Sequence, residues 1–142
     1  MSYLLDTNVV SELRKPRPEP RLLAFIAAAP LDDLFLSEVT LAEIRFGIER
    51  VADPLKRAEI ASWLDNVLRP MFGNRVLPIT EDVLLRWRLM VEAGRQRGRT
   101  YSQPDLFIAA TASVHGLAVV TRDAGDFADA GVAFLNPWLA SC

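Results

Sequence analysis

The sequence predicts an α/β fold, a three-layer α/β/α sandwich on a mostly parallel central sheet, and three observations carry that expectation. Short continuous apolar runs, Tyr3-Leu4-Leu5, Leu34-Phe35-Leu36 and Leu117-Ala118-Val119-Val120-Thr121, read as strands covered on both faces. The segments between them repeat apolar residues at helical spacing, with prolines or hydroxyl residues where helices should begin. Parallel neighbours need crossover connections, and crossover helices cover both sides of a sheet. A chain of 142 residues has room for one such core, so residues 1–142 are expected to form a single domain. No internal repeat, low-complexity segment or linker interrupts it.

Taken in order, Tyr3–Leu5 is a strand, Asp6-Thr7-Asn8 a turn, and Val9, Val10 and Leu13 the apolar face of a short helix. Lys15-Pro16-Arg17-Pro18-Glu19-Pro20 is a loop, because its prolines lack donors and hold their predecessors extended. Arg21 to Ala29 suits a helix that Pro30 stops, and Leu34–Leu36 is the next strand. From Thr40, Leu41, Ile44, Ile48 and Val51 form the stripe of an amphipathic helix. A further helix starts near Pro54 and runs through Ile60, Leu64, Val67 and Leu68 toward Pro70 and Gly73. Arg75–Ile79 is a strand that Pro78 brings to its end. Thr80 and Glu81 open a long helix toward Gly94 or Gly98, and Arg95-Gln96-Arg97-Gly98-Arg99 follows as a basic loop. Ser102-Gln103-Pro104-Asp105 has a hydroxyl cap, a first-turn proline and an acid at the positive dipole end, so the apolar stretch to Val114 is a helix. His115-Gly116 terminates it, with His115 expected as a cap rather than a ligand, and Val132–Leu135 is a weaker last strand.

Composition removes several classes. Hydrophobic residues make up 51% and charged ones 24%, which excludes a disordered tail or a collagen-like repeat. The single cysteine, Cys142, excludes a disulfide framework and a cysteine zinc site. No apolar run approaches the roughly 18 residues of a membrane span, and no basic segment followed by an apolar one opens the chain. A cytoplasmic protein is expected. Sixteen basic against eighteen acidic residues leave a net charge of -2, so bulk charge does not advertise nucleic acid. Only Lys15 and Lys56 of the basic residues are lysine; the rest are arginine, the better bidentate partner for phosphate or carboxylate.

In open parallel sheets ligands bind beyond the carboxyl ends of the strands. Asp6 follows the first strand there and Asp123 follows the Leu117–Thr121 strand. A helix antiparallel to its following strand begins near that strand's end, which sets Asp105 beside Asp123. Glu43 lies on the helix after Leu34–Leu36, with Val39 and Phe46 above and below it to cover its side chain in part. Each acid alone has a structural reading. Asp6 can make an Asx-turn, Asp123 or Asp126 can cap the segment around Phe127, Asp105 can serve a helix dipole, and Glu43 can flank a stripe. Crowded together, carboxylates repel and raise one another's pKa unless a divalent cation neutralises them. Oxygen ligands without histidine or cysteine select Mg²⁺ or Mn²⁺, which polarise a phosphodiester and activate water. Thr7, Asn8 and Thr121 are turn or strand-end polar groups, or donors that orient a carboxylate or hold a water.

These residues carry a resemblance. Leu4-Leu5-Asp6-Thr7-Asn8-Val9-Val10-Ser11-Glu12-Leu13, Thr40-Leu41-Ala42-Glu43-Ile44-Arg45-Phe46-Gly47, Asp105-Leu106-Phe107-Ile108-Ala109-Ala110-Thr111-Ala112 and Thr121-Arg122-Asp123-Ala124-Gly125-Asp126-Phe127 look like the successive motifs of a PIN-domain ribonuclease. More narrowly, the chain resembles the VapC toxins of type II toxin–antitoxin modules, including their FitB-like branch. The resemblance implies a compact α/β/α sandwich and a Mg²⁺- or Mn²⁺-dependent endoribonuclease with Asp6 and Asp105 as the core metal pair. Glu43 and Asp123 would complete the site, Asp126 would be an outer member, Thr121 the hydroxyl near the acids and Asn8 a supporting polar residue. It further implies a homodimer, a VapB-type antitoxin lying over the toxin, and operator DNA reached only through that antitoxin. Arg95, Arg97 and Arg99 precede Asp105 in the chain and are placed to hold RNA phosphates, or else form a solvated helix end.

Rival classes fit less well. A haloacid-dehalogenase-like phosphatase needs a second aspartate where Asn8 stands, and a receiver domain needs a lysine after a late strand, away from Lys15 and Lys56. A catalytically silent PIN-like module, acting only in an antitoxin and operator complex, has no chemical need for acids at all four motif positions.

Overall fold

The pleat of a strand sends alternate side chains to opposite faces, and here that alternation assigns the helices to their layers. In the computed structural model, which describes residues 1–139, the strands are β1 (Tyr3–Leu5), β2 (Leu34–Ser37), β3 (Val76–Leu77), β4 (Ala118–Val120) and β5 (Phe134–Leu135). Cys142 lies outside the described residues. The helices are α1 (Thr7–Leu13), α2 (Pro20–Ala28), α3 (Glu38–Glu49), α4 (Pro54–Trp63), α5 (Arg69–Phe72), α6 (Glu81–Gln96), α7 (Gln103–His115) and α8 (Gly125–Asp129). Leu5, Leu34, Leu36 and Val120 face one core with Val9 and Val10 of α1, Leu22 of α2, Ile44 and Ile48 of α3, and Phe72 of α5. Leu4 and Val119 face the other core with Leu106, Ile108, Ala109 and Ala112 of α7 and Phe127 of α8. Helices on both faces of one sheet make the three-layer sandwich that the apolar runs predict.

The sheet order is β3-β2-β1-β4-β5, and every pairing is parallel. The chain winds outward from β1 to β3, then returns to the other side of β1 for β4 and β5. The order therefore reverses between β1 and β4, where Leu4 pairs with Val119 and Leu5 with Val120. Crossovers leave this point in opposite directions, and in open parallel sheets ligands bind at the carboxyl edge of such a reversal.

Several boundaries differ from the sequence expectation for identifiable reasons. Helix α3 starts at Glu38 instead of Thr40, because the buried Ser37 hydroxyl accepts the Val39 N–H at 3.0 Å and caps it. The helix from Pro54 is broken into α4, a π turn over Leu64–Leu68, and α5, with Pro70 unable to donate in a regular ladder. Strand β3 stops at Leu77, ahead of Pro78. Arg95 and Gln96 belong to α6 and Arg97 is its C-cap, so only Gly98 and Arg99 of the basic segment lie beyond the helix. Gly98, at φ 72°, allows the reversal in which the Arg99 N–H returns to the Gly94 carbonyl at 2.8 Å. Ser102 stands at the N-cap of α7, yet its side chain makes no capping bond. Gly116, not His115, takes the left-handed position that closes α7, and His115 is exposed in the last turn. Among the described residues, no helix is long and apolar enough to cross a membrane.

Candidate acidic site at the sheet switch point

Asp6 sits at the reversal itself. Its N–H donates to the Val120 carbonyl at 2.9 Å, continuing the β1–β4 ladder by one step, while its carbonyl begins helix α1 by accepting from Val9 and Val10. The residue is the N-cap of α1 and is 3% exposed. One carboxylate oxygen accepts the Thr7 N–H at 2.7 Å, and the other accepts the Thr121 hydroxyl at 2.8 Å. Burial pushes its pKa up; the Thr121 and Thr7 hydrogen bonds oppose that, and the charge of Asp123 adds to it. The Asx-turn reading and the ligand reading are compatible, since a carboxylate oxygen that accepts one hydrogen bond keeps a second lone pair.

Thr121 serves two acids with one hydroxyl. It donates to Asp6 and accepts the Asp123 N–H at 3.0 Å, which shapes the turn after β4. That turn is held from both sides: the Asn8 side-chain oxygen accepts the Arg122 N–H at 3.3 Å, and the Asn136 amide donates to the Arg122 carbonyl at 3.1 Å. Thr7 reaches the other way, its hydroxyl donating to Thr40 at 3.2 Å and tying α1 to α3, the helix that carries Glu43.

Asp105 occupies the first turn of α7, whose N-terminus lies at the carboxyl end of β4. It is half-buried, and its pKa is pushed up to about 6. Burial is the largest cause, followed by the charges of Asp6, Asp126, Asp123 and Glu43. Four acids predicted from distant parts of the sequence thus bear on Asp105. Asp126, expected as an outer member, bears on Asp105 more strongly than Asp123 or Glu43. Neither Asp123 nor Asp126 caps α8, whose N-cap is Ala124.

The three arginines arrive already paired. Arg95 bonds Glu92 one turn back on α6 at 2.6 Å. Arg97 bonds Asp129 at 3.2 Å and the Tyr101 hydroxyl, and Arg99 bonds Asp126. Tyr101, Asp129 and Asn136 did not stand out in the sequence. The first two meet across the gap between the segment after α6 and helix α8, a contact without any local pattern.

The donor set fits a hard divalent cation: every predicted ligand is a carboxylate, and Asp105 is raised by burial first and then by the charges of the other acids. Among the described residues, no three of their side chains have closed to ligating geometry.

Comparison with known proteins agrees with this architecture. The PIN domain family model matches residues 3–133. The chain is 38% identical to Toxin FitB of Neisseria gonorrhoeae (strain ATCC 700825 / FA 1090) over 135 residues, spanning 95% of this chain and 97% of that protein. It is 37% identical to VapC ribonuclease Y4jK of Sinorhizobium fredii (strain NBRC 101917 / NGR234), with 95% and 96% of the two chains covered. The crystal structure of FitAcB from Neisseria gonorrhoeae superposes with a TM-score of 0.91 at 37% identity, over 97% of this chain and 99% of the other. That of VapBC-1 from nontypeable Haemophilus influenzae shares the fold, with a TM-score of 0.76 at 21% identity over 96% and 98%. With the family model matching residues 3–133 and this similarity over nearly its whole length, the chain belongs to the PIN domain family.

Proposed function

We propose that this protein is the toxin of a type II toxin–antitoxin pair, a Mg²⁺- or Mn²⁺-dependent endoribonuclease that hydrolyses RNA phosphodiester bonds in the cytoplasm. The observation that carries the reading is Asp105, a half-buried carboxyl pushed up to about 6 by burial and by four neighbouring acids. A site arranged to repel itself favours a cation strongly.

Asp6 and Asp105, with Glu43 and Asp123, are the residues that would hold the ion, and Asp126 stands next to them. When bound, the ion supplies charge stabilisation at the phosphate and a water of lowered pKa. The protein's own contribution is orientation. Thr121 fixes the Asp6 carboxylate and the Asp123 turn together, and Asn8 fixes the same turn from α1. Thr7 sets α1 against α3 and so the distance from Asp6 to Glu43.

RNA would cross the carboxyl edge of the sheet, near the end of α6. Of the three arginines, Arg95 is the one free to exchange its carboxylate for a phosphate. Its partner Glu92 is an exposed neighbour on the same helix, and a solvent-screened pair of that kind is weakly held. Arg97 and Arg99 are tied into a larger cluster. The remaining expectations follow from the relatives. The similar FitAB structure is bound to a DNA fragment, and another similar structure, VapBC-5 from Mycobacterium tuberculosis, is of a member of the VapBC family of toxin–antitoxin systems. A VapB-type antitoxin and operator DNA contacted through it are proposed on that basis, and a homodimer of a single-domain chain over residues 1–142 on the family resemblance.

The test is cleavage of a mixed pool of structured cellular RNAs by the purified, antitoxin-free protein in Mg²⁺, in Mn²⁺ and in chelator, beside Asp105→Asn prepared identically. Discrete fragments that need metal and vanish in the variant are expected. Cleavage that persists in chelator, or equally in Asp105→Asn, overturns the metal mechanism.

A further inference from the structure

Beside the acids lies a second cluster in which positive charge is held in place. The Arg97 guanidinium donates to the Tyr101 hydroxyl and to Asp129 at 3.2 Å, and the Tyr101 hydroxyl donates to the same Asp129 oxygen at 2.6 Å. The Arg99 guanidinium lies over the Tyr101 ring, 5.4 Å from its centre, and pairs with Asp126; its Nε lies 3.4 Å from Asp129. Tyr101 is 6% exposed and packs where Gly94 leaves space: a Cβ on Gly94 would stand 2.6 Å from the Tyr101 ring and 3.1 Å from the Arg99 carbonyl. Ring, helix α6 and helix α8 therefore fix the backbone from which Arg99 extends. Arg97, Tyr101 and Arg99 all reach Asp129, and of the three only Arg99 also reaches Asp126, which sits in the first turn of α8 and whose charge bears on Asp105.

We propose that Arg99 is a positioning residue for the acidic site: by pairing with Asp126 it cancels one negative charge beside Asp105 and keeps that carboxylate out of the cation's ligand set. The inference rests on the metal-dependent ribonuclease reading above. Without Arg99, Asp126 adds a full charge to the cluster. A cation is then held more tightly, while the RNA backbone is repelled. The two effects have opposite signs, which neither a structural role nor a direct phosphate contact produces.

The experiment is a double-mutant cycle on wild type, Arg99→Gln, Asp126→Asn and their combination, with Arg99→Lys as the charge-conserving variant. Mn²⁺ affinity of the metal-stripped protein is measured by titration calorimetry, and kcat and KM for RNA at saturating Mn²⁺. Arg99→Gln is expected to bind Mn²⁺ about threefold or more tighter and to raise KM by about threefold or more. Asp126→Asn should abolish both responses, so that the double variant matches Asp126→Asn alone, and Arg99→Lys should return toward wild type. A KM increase of equal size in both backgrounds with unchanged Mn²⁺ affinity overturns the proposal in favour of a direct phosphate contact. Joint weakening of metal and RNA with a lowered Tm overturns it in favour of a scaffold role. Wild-type protein that binds no Mn²⁺, or cleaves RNA equally in chelator, overturns the underlying reading instead.

Discussion

Asp6 and Asp105 meet at the same edge of the sheet, yet the protein treats them differently. Asp6 is carried by the β1–β4 ladder, 3% exposed, and both of its carboxylate oxygens accept hydrogen bonds. Asp105 is carried by the first turn of α7, half-buried, and no hydrogen bond stands among the influences that set its pKa; burial and four negative neighbours push it up. Both carboxyls are pushed up by burial, but hydrogen bonds from Thr121 and Thr7 oppose the shift at Asp6, whereas none opposes it at Asp105. The difference shows how such a site is primed. On the proposed metal-dependent reading, the hydrogen-bonded Asp6 would define where a cation goes, and relief of the repulsion at Asp105 would favour its arrival.

The largest effects should come from breaking either half, and they should differ in stability while agreeing in activity. Asp6→Asn and Asp105→Asn each remove a ligand charge, so metal-dependent cleavage should fall by more than about a hundredfold, beyond the 10–100-fold usual for residues that only support a ligand. Asp6→Ala also strands the Thr7 N–H and the buried Thr121 hydroxyl, and should lower stability by about 1–3 kcal/mol. Asp105→Asn should raise the stability of the metal-free protein at neutral pH, because it removes a repelled charge and breaks no hydrogen bond. Thermal unfolding of both variants in chelator checks this. A loss of stability in Asp105→Asn as large as that in Asp6→Ala would erase the distinction between the two acids.

A smaller effect sharpens the built half. Thr121→Val keeps the shape of a fully buried residue, but deletes the donor to Asp6 and the acceptor for the Asp123 N–H. Cleavage should drop about 10–100-fold, with most of the loss in kcat, since the acids remain and only their orientation relaxes. Single-turnover rates at saturating metal distinguish this from a loss of metal affinity, and Thr121→Ser should recover most of the rate.

How much of this was legible in the chain follows the same division. Asp6 ends an apolar run and Asp105 follows a proline at a helix start, so both can be placed from local pattern and the rule for parallel sheets. The strand runs were equally plain, because residues buried on both faces leave no polar alternation. The arginines were not. Arg97, Arg99 and Tyr101 find Asp126 and Asp129 across 27 to 32 residues of sequence, and only the packing of α6, α7 and α8 brings them together. A basic segment read alone looks free for phosphate, whereas the folded chain supplies its counter-charges. Helix ends failed where side chains compete for the same groups. Ser37 began α3 early by capping it, while Ser102 at the start of α7 made no such bond.

The smallest effect is one of pH, and it probes the repelled half without any substitution. An acid whose folded pKa lies above its unfolded value binds a proton more readily when folded, so stability declines as pH rises between the two values. For Asp105 that window runs from the ordinary 3.8 to about 6, and above it the penalty is present in full. Half-exposure screens the effect, which leaves a shift of about a few °C in Tm for a chain of this size. Metal-free protein should therefore lose Tm between pH 5 and pH 7 relative to Asp105→Asn, in which that component of the slope is absent. Mn²⁺ at saturation should flatten the wild-type slope as well, because a cation favours the ionised carboxylate and draws its folded pKa down toward the unfolded value. If wild type and Asp105→Asn show the same slope in chelator, the strain at this edge resides in another of the acids, and Asp105 is as well accommodated as Asp6.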